Sequence, residues 1–452
     1  MSTKDMLKIV CAEGEGQKIE FKAKISGLAN ELVAFANASG GSVFIGIADD
    51  GKIVGVEDSN RLRSQIQDIA NGCDPRISIR IISHGTVLEV VVPEGIDKPY
   101  RCNDGFFLRI GPNSQQLTRD EILRFAIRSD KVRFDEQFEP HVDAEKLIDH
   151  SRIGVFLKKC GLPNKTRVDD LLTNLGLAHK QHNRLLLTRA AILFFNHAPQ
   201  NLFPEAFVTC AVYEDATRAK VLDRLDSKGP LEEQYEASVA FIRRNLRVGY
   251  KIEKAGPREE VVEIPEPVFR EALLNALTHR DYFADTTHIY VHLHPDHIEI
   301  TNPGGLPHGL TLDELGTRTV PRNRLIADMF YRMGYVERLG SGIYRMRVAM
   351  INAQLPVPVF LPTANAFRVK LLISYVAAGL SPDEAKLCQW LASYSPATIK
   401  DLMKTFHIPK TTAHRRIAKL VSEGYIEVHG SGRTTFYALR YGPIDSGTKV
   451  GR

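Results

Sequence analysis

The residues best suited to chemistry lie in the stretch REALLNALTHRDY, which runs from Arg270 to Tyr282. Glu271 and Asn275 are one helical turn apart there, so on a helix they share one face. A carboxylate and an amide placed in this way can position a water molecule and hold Mg²⁺ against a triphosphate. By itself the E-x-x-x-N spacing indicates little, because it is common in helices.

Two glycine turns follow this stretch. Asn302-Pro303-Gly304-Gly305 comes directly after an expected strand, and Gly340-Ser341-Gly342 opens an expected helix. Glycines at the start of a helix let backbone N–H groups approach phosphates. The order of E-x-x-x-N helix, glycine turn and glycine pair is more specific than any one of the three. No G-x-x-x-x-G-K-[ST] motif occurs, so the sequence does not support P-loop ATPase or helicase chemistry.

The last part of the chain predicts a winged helix-turn-helix. Its pattern indicates helices over Pro382–Ser393, Ile399–Phe406 and Lys410–Glu423, then a hairpin of Tyr425–His429 and Thr434–Leu439. Helix, helix, turn, helix and wing is the order of that motif. Such proteins usually bind paired half-sites, so we expect a homodimer.

The third of these helices has one apolar face and one cationic face. The polar side chains can donate to phosphates and to guanine edges, and Arg433 at the hairpin tip can contact a phosphate or the minor groove. The predicted contacts on the helix are Lys410, Thr411, Thr412, His414, Arg415 and Arg416. The alternative is a winged helix that binds protein and has a solvated basic face.

The distribution of charge along the chain agrees with a nucleic-acid-binding module at its end. Residues 381–452 hold six Lys and five Arg against three Asp and three Glu, an excess equal to the net charge of +5 for all 452 residues. Such asymmetry favours a nucleic-acid partner. Length predicts roughly three domains, and no apolar run is long enough for a membrane span or a secretory signal. The six cysteines lack C-x-x-C spacing, which together with these absences predicts a reduced, cytoplasmic protein.

Periodicity predicts the elements that position these residues. Residues 1–125 show the strand and helix pattern of an α/β domain, residues 126–255 are predicted as a helical connector, and residues 256–375 return to α/β. The winged helix covers 381–442, and 443–452 is expected to be a flexible tail. His288, His292, His294 and His297 lie close together, but paired surface strands explain them without a metal.

The third region resembles a known fold. Its order of motifs is similar to the GHKL ATPases, which include gyrase and histidine kinases. The segments NALTHRDY, ITNPGGLP and ERLGSGI look like the divergent GHKL-type domain of a family of bacterial and archaeal transcriptional regulators. The resemblance implies a GHKL-like α/β sandwich that binds ATP and Mg²⁺. Asn275 would be the Mg²⁺ ligand and Glu271 the base of a weak ATPase. Gly304, Gly305, Gly340, Ser341 and Gly342 would line the nucleotide.

One departure from the GHKL pattern concerns the adenine. The pattern D-x-G-x-G has an Asp that accepts from the adenine amino group, and the nearest position here is Asn302. An amide oxygen can accept this hydrogen bond but carries no charge. The alternative is a degenerate fold that keeps its glycines for turns and binds nothing.

The N-terminal region resembles the Schlafen AlbA-type domain. The similarity lies in EGQKIEFKAK, in ELVAFANASGGSVFIGIADDGKIVGV and in FFLRIGPNSQQLTRDEI. It implies nucleic-acid binding, with Lys22 and Arg109 as contacts. Some Schlafen relatives are metal-dependent ribonucleases, and their acidic residues correspond here to Glu15, Glu20 and Asp49 (or Asp50). The alternative is a Glu20–Lys22 ion pair and a plain Asp-Asp-Gly turn.

Together these features predict an α/β multidomain transcriptional regulator that binds DNA and ATP. ATP would order a lid around residues 311–324 and so change how the winged helix is presented. The alternative is a Schlafen-like ribonuclease that uses Glu15, Glu20 and Asp49.

Overall fold

The structure is a computed structural model. It describes residues 3–129, 131–163, 167–181, 184–246, 248–251, 259–307, 309–318, 320–335 and 341–440. The chain forms two compact units, residues 1–132 and residues 133–452.

The first unit is a small α/β domain built on a four-stranded sheet of order β1-β2-β4-β3. β1 and β2 are parallel, joined by α2, and the other pairs are antiparallel. Helix α2 packs on the sheet through Leu32 and Phe35, which are fully buried because the helix is almost entirely apolar. The elements are α1 Thr3–Glu13, β1 Ile19–Lys22, α2 Leu28–Asn37, β2 Gly41–Ile45, α3 Asn60–Asn71, β3 Arg80–His84, β4 Val87–Val92, β5 Phe107–Ile110, β6 Asn113–Gln116 and α4 Arg119–Arg128.

The first part of the second unit contains more strand than the helical connector predicted for residues 126–255. A three-stranded sheet of order β7-β9-β8 lies here, and two further strands belong to a larger sheet. The elements are β7 Phe138–Glu139, α5 Ala144–Leu147, α6 His150–Lys159, α7 Val168–Asn174, β8 Ala178–Gln181, β9 Arg184–Thr188, α8 Arg189–Phe195, β10 Val208–Tyr213, β11 Val221–Ser227, α9 Leu231–Asn245 and β12 Val248–Lys251.

The larger sheet has six strands in the order β11-β10-β14-β15-β17-β16. β10 pairs in parallel with β14, so a strand from the predicted helical connector extends the sheet of the third region. Helices α9 and α10 pack through a common apolar core on one face of this sheet. The elements are β13 Glu259–Val262, α10 Glu266–His279, β14 Ile289–Leu293, β15 His297–Pro303, α11 Arg324–Arg332, α12 Gly342–Asn352, β16 Val359–Pro362 and β17 Ala366–Leu372.

The winged helix-turn-helix is present as predicted. Its elements are α13 Pro382–Tyr394, α14 Ile399–Phe406, α15 Lys410–Ser422, β18 Ile426–His429 and β19 Phe436–Leu439. Capping boxes begin α13 at Ser381 and α14 at Thr398. The core of this module also includes Ile351 near the end of α12, so α12 packs directly against the winged helix.

Candidate nucleotide site and nucleic-acid interface

An apolar cleft lies between α10, α12 and the glycine turn after β15. Its volume of about 100 Å³ is below the roughly 300 Å³ of ordinary small-molecule sites. Only part of a nucleotide, such as its base, could enter a cleft of this size. The polar lining side chains are Asn275, His279 and Asn302, and the apolar ones include Ala272, Ile300, Leu315, Met346 and Phe367.

Asn302 gives this cleft its most informative polar group. The residue is 5% exposed, and its Oδ1 atom is buried with no hydrogen-bond partner among the residues that the structure describes. A buried acceptor without a donor costs about 1–3 kcal/mol. An exocyclic amine in the cleft would satisfy this oxygen, so the residue suits the role that the sequence predicted for it.

Glu271 and Asn275 lie together on α10 as predicted. Asn275 Nδ2 donates to Glu271 Oε1 over 3.3 Å, and Glu271 Oε2 is 3.7 Å from Arg345 Nη2 on α12. Asn275 lines the cleft. The ion pair with Arg345 links Glu271 of α10 to α12.

The start of α12 holds a carboxylate where phosphates were predicted. A Cβ added to Gly342 would lie 1.8 Å from Glu271 Oε1, so the carboxylate is in close contact with this glycine. A negative charge is favourable at a helix N-terminus. A phosphate at this helix start would therefore compete with Glu271. Ser341 occupies the N-cap position without a side-chain cap, and Gly340 lies outside the described residues.

The glycine turn after β15 is fixed by close packing. Gly304 has φ of +94°, and a Cβ there would lie 2.3 Å from Arg322 Nη1. At Gly305 the same atom would lie 2.4 Å from the carbonyl oxygen of Thr363. Arg322 donates to the carbonyl oxygens of His279 and Gly305, each over 3.0 Å. Both glycines line the cleft, and both are also required by the packing of the turn.

In the first unit, a closed network of charges surrounds Glu20. Arg109 Nη1 lies 2.8 Å from Glu20 Oε2 and 3.4 Å from Glu31 Oε2. Lys22 Nζ lies 3.2 Å from an oxygen of each carboxylate. Burial and the nearby Glu31 raise the pKa of Glu20, although Arg109 acts against them. Two cations thus neutralise two carboxylates within the fold.

This network changes the predictions for the nuclease and for Arg109. The Arg109 side chain has 0% exposure and donates to the backbone of Gly16 and Ile19. It cannot reach a nucleic acid, so its predicted contact is wrong. Lys22 remains partly exposed. Sequence reasoning missed Glu31, although it is the sole charged residue of the apolar helix α2.

The predicted nuclease residues are not brought together as a metal site. Glu15 accepts a hydrogen bond from the backbone N–H of Phe21 over 3.0 Å, and Glu20 is held in the charge network. Asp50, the alternative to Asp49, pairs with Lys52 in an exposed turn. Within the described ranges, no group of three or more His, Cys, Asp or Glu residues could hold a metal ion.

The candidate DNA-binding surface is the exposed face of α15. Lys410, Thr411, His414 and Arg415 are exposed, and Thr412 is half-buried. Arg416 is held in an ion pair with Asp383 of α13. The buried face consists of Ala413, Ile417 and Leu420. The side chain of Arg433 lies outside the described residues.

Comparisons with known families match three parts of the chain. Residues 15–118 match the Schlafen, AlbA_2 family. Residues 286–371 match the family described as "Putative ATP-dependent DNA helicase recG C-terminal". Residues 377–442 match the family described as "Sugar-specific transcriptional regulator TrmB". The second match begins after α10, so it does not include Glu271 or Asn275.

The fold and these matches define a multidomain α/β protein with a C-terminal winged helix. The chain carries a Schlafen AlbA_2 domain, an ATPase-like domain and a TrmB-type winged helix, in that order. This confirms the predicted domain order and fold class.

Whole-chain comparisons add little to the family matches. No curated protein matches the chain. A similar solved structure is that of the DIP2311 protein from Corynebacterium diphtheriae, at 18% identity and a TM-score of 0.48 over 97% of this chain and 96% of that one. Among the described residues, no helix has the length and apolar character needed to cross a bilayer.

Proposed function

We propose that this protein is a transcriptional regulator that binds duplex DNA through its winged helix and is tuned by an adenine nucleotide. The observation that carries the proposal is the position of α12. Its first residue contacts Glu271 beside the candidate nucleotide cleft, and Ile351 near its other end lies in the core of the winged helix. One helix thus joins the two candidate sites.

The proposed nucleotide site uses the apolar cleft for the base and Asn302 as the acceptor for its amino group. Asn275 would hold Mg²⁺ when it is bound. Glu271 would move away from the start of α12 when phosphates arrive, because both carry negative charge. Such a movement would be transmitted along α12, provided that ATP binds one position of the helix more tightly than the other.

The proposed DNA contact uses the exposed side chains at the start of α15. The side chains of Lys410 and Arg415 are exposed on α15. Cations of this kind release counterions when they bind phosphates. The match to the TrmB family supports this use of the winged helix.

Fluorescence anisotropy of the full chain with a labelled duplex tests the DNA contact. We expect the affinity for DNA to fall steeply as the salt concentration rises. Lys410→Ala and Arg415→Ala should each reduce the slope of log affinity against log salt concentration by about 1. Arg416→Ala is the matched control, because its ion pair with Asp383 makes it a smaller contributor to the slope. Equal slopes for wild type and all three variants would contradict the proposed DNA-binding surface.

A further inference from the structure

A second cavity lies in residues 133–452, lined by residues other than those of the nucleotide cleft. Its volume is about 240 Å³. Its lining includes four aromatic residues and two arginines: Phe134, Phe203, Tyr282, Phe283, Arg189 and Arg280. We call it the Arg280 pocket.

The aromatic walls of the Arg280 pocket are packed against one another. The ring of Phe134 meets the rings of Phe203 and Phe283 edge to face, each at 5.2 Å between centroids. It also stacks on Tyr282 at 5.5 Å. Edge-to-face contacts of this kind fix ring orientation. The Phe134 ring is thus covered by its neighbours, and the half-buried rings of Phe203 and Phe283 form the apolar surface that is open to a flat group.

Arg280 is a deeply buried cation. Burial lowers its pKa, and the nearby Tyr282, Asp281 and Glu205 act against that shift. The residue is 2% exposed, and its Nη2 donates to the carbonyl oxygens of Ala284 and Thr287. Its Nε is buried without a partner, and no described carboxylate forms an ion pair with it. An unpaired buried charge costs several kcal/mol. A ligand anion within reach of Nε would offset this cost.

The other charged groups that line the pocket form no ion pair with Arg280 among the described residues. Glu139 is paired with Arg189 at 2.6 Å, and Glu205 is paired with His288 at 2.8 Å. Asp285 is exposed and forms no ion pair with Arg280. Arg189 lies over the Phe134 ring at 4.7 Å, so its positive charge also faces the aromatic wall.

We propose that the Arg280 pocket binds a small carboxylate with a flat apolar body. The guanidinium of Arg280 would donate from Nε to the carboxylate, while the body would lie against the half-buried rings of Phe203 and Phe283. The backbone oxygen of Arg280 accepts from Asn323 Nδ2 over 2.7 Å. The residue before Asn323 is Arg322, which donates to the carbonyl oxygen of Gly305 in the glycine turn. The ligand would therefore bind beside the nucleotide cleft, but its binding does not depend on ATP.

Binding of phenylacetate to the full chain without nucleotide tests the proposal, with benzylamine as a probe of similar shape and opposite charge. We expect saturation-transfer NMR to show binding of phenylacetate at about 10 mM or below, and no binding of benzylamine. Arg280→Gln should weaken phenylacetate binding at least about tenfold. No binding to wild type, or equal binding of the two probes, would overturn the proposal.

Ala284→Leu provides a variant that keeps the guanidinium. Ala284 is half-buried and lines the pocket, so the larger side chain should fill part of it and weaken phenylacetate binding. If Arg280→Gln does not fold, Ala284→Leu still tests whether phenylacetate binds in the Arg280 pocket. Unchanged phenylacetate binding in a folded Ala284→Leu protein would also overturn the proposal.

Discussion

Asn302 and Asp135 are two buried polar residues with unsatisfied oxygens in the described part of the chain. Asn302 faces the apolar cleft, whereas Asp135 lies at the start of α11. There Asp135 Oδ2 accepts from the backbone N–H groups of Leu325 and Ile326. A buried oxygen without a donor is costly unless a ligand or a proton supplies the missing bond. The two residues therefore lead to different predictions, one about a ligand and one about pH.

Replacing Asn302 with Leu tests the adenine contact. We expect ATP affinity to fall about tenfold, or about 1.4 kcal/mol, because the acceptor for the amino group is lost. Calorimetry with Mg²⁺ measures this. Thr301→Val is the matched control, because neighbouring residues of a strand point to opposite faces of the sheet. Equal affinities for the two variants would exclude Asn302 as the adenine contact.

Asp135→Asn tests the buried carboxyl at α11. Burial raises the pKa of Asp135 from 3.8 to about 6, although the two backbone amides lower it. The folded state thus binds this proton more tightly than the unfolded state. Its contribution to stability is fully present below pH 3.8 and is lost as the pH rises through about 6.

The amide of the Asn variant keeps an acceptor for the helix and does not titrate in this range. Between pH 4 and pH 7, we expect wild type to lose about 2 kcal/mol of unfolding free energy relative to Asp135→Asn. Urea unfolding at the two pH values measures the difference. Parallel pH profiles for the two proteins would show that this carboxyl does not titrate as proposed.

At the scale of elements, the close approach of α10 and α12 depends on one glycine. Gly342→Ala would place a Cβ 1.8 Å from Glu271 Oε1, so the two helices or the carboxylate must shift. Because the atoms in the way are the end of the flexible Glu271 side chain, we expect a loss of at most about 1 kcal/mol in the unfolding free energy, together with a change in nucleotide affinity. Thermal unfolding and calorimetry measure both effects.

Gly154→Ala in α6 is the control for the helix propensity of alanine. No atom lies within 4 Å of a Cβ built there, so this change should be neutral or stabilise the protein by up to about 1 kcal/mol. If Gly342→Ala behaves like this control, the glycine is not needed for the contact with Glu271.

Elements with local signals could be predicted from the sequence, and the charge network could not. The capping residues Ser381 and Thr398 and the 3.6-residue apolar period place the helices of the winged helix within a residue of their bounds. Arg109 and Glu31 are separated by 78 positions, and nothing local marks them as partners. A single basic residue on a strand is therefore easily mistaken for a surface contact.

The whole molecule offers a test of communication along α12. If ATP and DNA binding are coupled, each ligand should change the affinity for the other by the same factor, commonly about 5–150-fold. Ile351 is 2% exposed in the core of the winged helix. We expect Ile351→Ala to reduce this factor while leaving the two separate affinities nearly unchanged.

Anisotropy titrations with and without ATP measure the coupling. Ile351→Val is the conservative control, because it keeps most of the contact and should retain the factor found for wild type. An unchanged factor in Ile351→Ala would show that coupling does not pass through this end of α12.

The sequence predicted the order of the three matched regions but not how the connector is used. Strand β10 and its partner β11 lie within residues predicted as a helical connector, yet they complete the six-stranded sheet. Parallel pairing of β10 with β14 joins residues about 80 positions apart, such as Val208 and Ile289. The spacing of apolar residues and the composition of a segment carry no information about which distant strand it will pair with.

The capping of α11 by Asp135 spans 190 positions of the chain. A protease cut or an in-frame deletion near this residue would uncap a helix beside the nucleotide cleft without removing any residue of the cleft. A fragment that starts at residue 256 would lack this cap and two strands of the sheet. Dissection of the protein by truncation, or its fusion to other sequences, should therefore keep everything from residue 133 onward as a single piece.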